Sequence, residues 1–174
     1  MYRFGRGYLL LMLFMVIGLL VSGCTTTQPE KNEVRALEGT LDLTGWDFEQ
    51  MGPVELNGDW EFYWGQLLTP GDFNEGQGGF DKHLFSVPQS WNGYRVNDQI
   101  LTGEGYATFR LKVLLPEDEQ SKSLGLSAIS TAHKLWVNGR LVSAQGEVAT
   151  QREQSDPKYF PKIIHLSLKE TPPT

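Results

Sequence analysis

Asn138-Gly139 is the tightest local constraint in the chain. It sits inside His133-Lys134-Leu135-Trp136-Val137-Asn138-Gly139-Arg140-Leu141-Val142. Asn-Gly accepts the positive φ angles of a type I′ turn, whose twist matches that of paired strands. The stretch therefore predicts two strands with a two-residue loop. Val137 should lie opposite Arg140, and Trp136 opposite Leu141. Leu135, Val137 and Val142 then share one face, with Lys134, Trp136, Leu141 and Ser143 on the other. A lone hairpin is marginal in water, so further strands must pack around it.

The rest of the chain supplies them in short alternating runs. Leu41 and Leu43 alternate with Thr40, Asp42 and Thr44. In Asp59 to Trp64, the residues Trp60, Phe62 and Trp64 take one face, and Asp59, Glu61 and Tyr63 the other. Phe85 to Pro88 reads as a short strand. Tyr106 to Leu115 alternates throughout, with Ala107, Phe109, Leu111, Val113 and Leu115 facing inward. Leu124 to Ala128 and Ile163 to Leu168 complete the set. Residues 69–82, 89–105 and 146–161 read as loops, rich in Gly, Pro, Asp and Asn. No helical stripe follows residue 23. The expected fold is all-β, an antiparallel sandwich of jelly-roll type.

The first 23 residues are not fold material. Arg3 and Arg6 precede an apolar run, Tyr8 to Val21, of 14 residues. A bilayer-spanning helix needs roughly 20, so this is the layout of a secretory leader. Leu20-Val21-Ser22-Gly23-Cys24 resembles the bacterial lipobox. That resemblance implies cleavage before Cys24, diacylglycerol on its sulfur, and an extracytoplasmic protein anchored in a cell membrane, with the inner and, if one exists, the outer membrane both open. Cys24 is the only cysteine, which excludes an intrachain disulfide. Residues 24–37 read as a flexible tether, 38–170 as the sandwich and 171–174 as a tail. Losing the leader takes the net charge from −6 to −8. This acidic balance without a basic run argues against nucleic acid and against anionic lipid headgroups as partners.

Catalytic patterns are poorly served. Asp59 and Glu61 would lie about 6.6 Å apart along one strand face, inside the range of glycosidase carboxylate pairs, yet this is also how a solvated outer face looks. Ser155-Asp156-Pro157-Lys158 matches Ser-x-x-Lys formally, but its proline opposes the helical turn that motif needs. His83, His133 and His165 lack metal-ligand spacing, and no Asp/Asn cluster marks a calcium site. The chain is read as non-enzymatic, with no cofactor and no metal. Ligand recognition fits better: Trp91, Asn92, Tyr94, Arg95, Arg152 and Tyr159 place aromatic and polar groups on long loops, as sugar binding requires. Each aromatic has a plainer role open to it, anchoring its loop in the core. Arg110 reads as one half of a surface ion pair.

Four runs occur in one order: Leu56-Asn57-Gly58-Asp59-Trp60-Glu61-Phe62, Val87-Pro88-Gln89-Ser90-Trp91, Gly105-Tyr106-Ala107-Thr108-Phe109-Arg110 and Trp136-Val137-Asn138-Gly139. Together they resemble the jelly-roll sugar-binding domain of β-galactosidases and β-glucuronidases. Trp46-Asp47-Phe48, Gly58 to Trp64, and Arg152-Glu153 before Pro157-Lys158-Tyr159-Phe160-Pro161 add a closer resemblance. It is to the extracytoplasmic input domain of bacterial seven-transmembrane sensors. This implies a galactose-binding-like jelly roll that binds a small molecule or carbohydrate, or contacts a membrane signalling partner. In those domains a closing strand follows, whereas this sequence stops at Pro172-Pro173-Thr174. It is therefore expected to be either a stand-alone lipoprotein or a piece of a sensor, with a sheet edge left open. The competing readings are an accessory sugar-binding fragment of a glycoside hydrolase and a structural envelope lipoprotein.

Overall fold

In the computed structural model, described for residues 33–73, 79–117, 121–127, 129, 131–158 and 160–167, alternating residues build strands. Among the described residues there are eleven, in chain order β1 (Thr40–Asp42), β2 (Gly58–Trp64), β3 (His83–Val87), β4 (Arg95–Val96), β5 (Gln99–Ile100), β6 (Ala107–Arg110), β7 (Lys112–Leu114), β8 (Ser121–Leu126), β9 (His133–Val137), β10 (Arg140–Gln145) and β11 (Lys162–Ser167). One short helix, α1 (Phe48–Met51), interrupts them. The fold class is all-β. The pairings are β3-β2-β6, β4-β5, β8-β11 and β9-β10, all antiparallel. The exception is β1, which runs parallel to β7. Leader residues 1–23, Cys24 and Tyr159 lie outside the described residues.

The Asn138-Gly139 turn has the type I′ signature, with φ 48° and 79°. Val137 faces Arg140 and Trp136 faces Leu141, as the two-residue loop requires. Beyond that the pairing departs from the expected one. A bulge at Val142 moves Ser143, rather than Val142, opposite Leu135. One extra residue on one strand reverses the faces that follow it. Ser143 is thereby turned inward, to 4% exposure.

Tyr106 to Leu115 is not one strand. It breaks at Leu111, so that β6 joins β2 while β7 joins β1. The inward alternation nevertheless survives the break. Ala107 and Phe109 pack on one core cluster, Phe62, Phe85, Val96 and Leu101. Leu111, Val113 and Leu115 pack on another, Ala36, Leu41, Leu43 and Trp46. The same apolar stripe serves both cores.

Two further segments are more ordered than the sequence alone suggests. Of the tether, Val34, Ala36 and Leu37 belong to the folded unit, which begins at Val34. Ala36 is fully buried, and its N–H and C=O bond Asn57 and Asp59. Close approach to Gly58 leaves no room there for a Cβ. The Trp46-Asp47-Phe48 stretch leads into α1, capped by Asp47 Oδ1 accepting from the N–H groups of Glu49 and Gln50 at 2.9 and 3.0 Å.

Candidate functional site

Two groups of polar residues are assembled by this fold. The first lies on the outer face of β2. Glu61 Oε2 accepts from the Tyr63 hydroxyl at 3.0 Å and from Arg110 Nη1 at 3.2 Å. Its Oε1 meets Lys82 Nζ at 3.5 Å. The sheet register explains the main pair, because Glu61 lies directly opposite Arg110 on β6. The Arg110 guanidinium also sits 4.7 Å from the centre of the Phe73 ring. Gly39 passes so close that a Cβ there would come within 2.6 Å of Glu61 Cγ.

An aromatic cover completes this face. Tyr63 contacts Phe73 and Phe80 edge-on, at centroid distances of 5.4 and 6.5 Å. The segment after β2 is pinned back over the sheet through Thr108, whose hydroxyl donates to Gln66 O and accepts from Leu68 N–H, both at 2.8 Å. Tyr63 is therefore buried, where alternation had placed it on the solvent side. Burial, then the adjacent Glu61 carboxylate, pushes its phenol up to about 12. The phenol stays protonated and remains a donor across the physiological range. The Asp59 and Glu61 geometry is thus not that of a free carboxylate pair: Glu61 is occupied by three donors.

The second group joins the two long loops. Arg152 forms an ion pair with Glu104, tying residues 146–161 to residues 89–105. Glu104 precedes Gly105, which presses against the tip of the Trp64 ring. Trp64 in turn meets Trp91 edge-on at 5.6 Å, and Trp91 stacks on Phe109 at 6.4 Å. Trp91 and Arg152 are thereby linked through one chain of contacts.

The loop residues singled out in the sequence divide into three kinds. Trp91 and Tyr94 pack on the aromatic core. Tyr94 lies 4.8 Å from Phe85, and its hydroxyl donates to Leu84 O at 2.5 Å. These contacts anchor the loop, while both rings stay half-buried and keep an accessible part. Asn92, Arg95 and Arg152 are exposed. Tyr159 lies outside the described residues. Glu104 was missed in the sequence; its signal was only that of an acid between two glycines.

The other candidates stay apart. Lys158 pairs with Asp156 at 3.6 Å rather than with Ser155. His165 Nδ1 bonds Ser123 Oγ at 2.9 Å across β8 and β11. Among the described residues, no group of three His, Cys, Asp or Glu could hold a metal ion, and no helix is long and apolar enough to cross a membrane. No family model, curated protein or solved structure matches this chain.

Proposed function

We propose that this chain is a non-catalytic, extracytoplasmic binding module of the sensor-input type, a galactose-binding-like jelly roll held at a membrane through lipid on Cys24. Its ligand is a small molecule of the carbohydrate class, taken at the end where the two long loops meet. The observation that carries the reading is the Arg152–Glu104 pair beside the Trp64–Trp91–Phe109 stack. It presents charged hydrogen-bonding groups next to aromatic surface, the combination that sugar hydroxyls and sugar C–H faces select. Asn92 lies exposed in the same loop as Trp91, and Arg95 is exposed at the start of β4, which follows it. The non-catalytic part of the reading is supported by Glu61, whose oxygens are taken by Tyr63, Arg110 and Lys82.

Glycan-array binding by the wild-type chain and by Arg152→Ala tests this. Binding to a defined glycan class should fall at least tenfold in the variant. Absence of binding to any neutral or acidic glycan, or binding that ignores the substitution, would remove carbohydrate recognition at this loop junction. Metabolic labelling with a fatty acid tests the tether separately, and Cys24→Ala should abolish incorporation.

A further inference from the structure

Three Asn-Gly steps occur in the chain: Asn57-Gly58, Asn92-Gly93 and Asn138-Gly139. They share one latent chemistry. The side-chain amide carbon of Asn can reach the next backbone nitrogen and close a small imide ring, and glycine adds no side chain to block that approach. Local sequence makes the three sites alike; the fold makes them different.

Asn57 is held at both its side chain and its main chain. Its Nδ2 donates to Glu55 Oε2 at 2.8 Å, and its carbonyl accepts from Ala36 N–H at 2.8 Å. Gly58 is buried inside β2, opposite Val87 and pressed by the Ala36 backbone. Asn92 is exposed, but the nitrogen that would attack is engaged: Gly93 N–H donates to Leu101 O at 2.9 Å. Leu101 belongs to the Phe62 core cluster, so freeing that nitrogen disturbs the core.

Asn138 and Gly139 are both exposed. Among the described residues, no hydrogen bond engages the Asn138 amide or the Gly139 N–H. The hairpin also opens readily at this end. Only two pairs, Val137–Arg140 and Trp136–Leu141, lie between the loop and the bulge at Val142. Leu141 is 50% exposed, so parting these pairs forfeits little apolar burial.

We propose that Asn138 is a self-modifying site, which deamidates through a succinimide with water as the only co-reactant. Hydroxide takes the proton of Gly139 N–H, and that nitrogen bonds to Asn138 Cγ. The Cγ–Nδ2 bond breaks, and the amide nitrogen leaves as ammonia with a proton from water, which regenerates hydroxide. Water then opens the ring. Cleavage of the new N–Cγ bond leaves an ordinary aspartate. Cleavage of the original peptide bond leaves isoaspartate, with the main chain running through Cβ and Cγ. Nothing is oxidised or reduced. Either product adds a negative charge beside Arg140. Isoaspartate also lengthens the main chain of a loop whose two positive φ angles set the register of the hairpin. The site is independent of the loop junction proposed for carbohydrate and of lipid on Cys24.

Incubation of the full chain at mildly alkaline pH, followed by peptide mapping with mass spectrometry, tests the assignment. Electron-transfer fragmentation separates isoaspartate from aspartate. In the folded chain, Asn138 should convert at least about tenfold faster than Asn57 or Asn92, because its segment opens at a lower free energy. In urea the three rates should converge, since each Asn then has only glycine and a mobile backbone beside it. The isoaspartate fraction should show faster hydrogen exchange in β9 and β10. Freshly purified Asn138→Asp, which adds the charge alone, should not. Equal rates at the three sites in the folded chain would overturn the proposal. So would a lead for Asn138 that persists in urea, which would assign the reactivity to local sequence rather than to the fold.

Discussion

Residues 34–115 bury Leu41, Phe62, Phe85 and Leu101 to 1 or 2% exposure or less, and wrap them in a second layer of aromatic contacts. Residues 121–167 behave differently. They form the longest ladder among the described residues, six pairs between β8 and β11, and another of five between β9 and β10 that equals the β2-β3 ladder. Yet Ile164 is the sole apolar side chain buried there among the described residues. Backbone hydrogen bonds exchange for bonds to water on unfolding, with a net gain of only about 1 kcal/mol each. Apolar burial contributes roughly 25 cal/mol per Å². The comparison teaches that ladder length is not stability: the first half holds the fold, and the second half is free to present surface.

The largest expected effect tests the first half directly. Phe62→Ala should lower unfolding free energy by about 3–5 kcal/mol in denaturant titration. Ile164→Ala should cost about 2 kcal/mol, the low end for its type, because its surroundings are thinner and collapse more easily. Equal losses at the two positions would break the comparison.

Native-state hydrogen exchange sharpens it. Amides of β8 to β11 should open at a free energy on the order of 2 kcal/mol below those of β2 and β6, as a separate cooperative unit. A single opening energy for all strands would show that the halves unfold together.

Glu61→Gln addresses what holds the outer face of β2. It removes the charge that receives Arg110, Lys82 and Tyr63, and should cost about 1–3 kcal/mol. Arg110 and Lys82 are about half exposed, and solvent around them keeps the loss toward the lower bound.

Tyr63→Phe gives the smallest effect, about 1 kcal/mol for one hydrogen bond at neutral pH. Its signature lies in alkali. The folded phenol titrates near 12 against an ordinary 10. The unfolded chain therefore releases its proton first, and Tyr63 contributes stability that is complete below pH 10 and is lost as pH rises toward 12. In Tyr63→Phe that part of the alkaline loss should disappear. An identical alkaline profile would place the shifted phenol elsewhere.

Several of these features were legible in the residues alone. Asn138-Gly139 specified the turn because few other pairs adopt two positive φ angles at low cost. Trp60, Phe62 and Trp64 were rightly placed on one face, since period 2 is a property of the strand itself. Arg110 was rightly read as an ion-pair partner, because its outward position follows from the same alternation. The loop aromatics were the ambiguous cases. Trp91 and Tyr94 have both an apolar body and a polar tip, and sequence cannot say which neighbour takes either.

By itself, then, the sequence determined the all-β class, the inward stripe from Ala107 to Leu115 and the turn at Asn138, because backbone sterics and side-chain period act between near neighbours. Only the tertiary structure decided the rest. The bulge at Val142 turns Ser143 inward against the alternation of its strand. The break at Leu111 depends on two sheets competing for one strand. Tyr63 is buried because a segment pinned by Thr108 returns over it. Arg152 meets Glu104, forty-eight residues earlier in the chain. Each of these is set by contacts between distant residues, whose free energy no local pattern encodes.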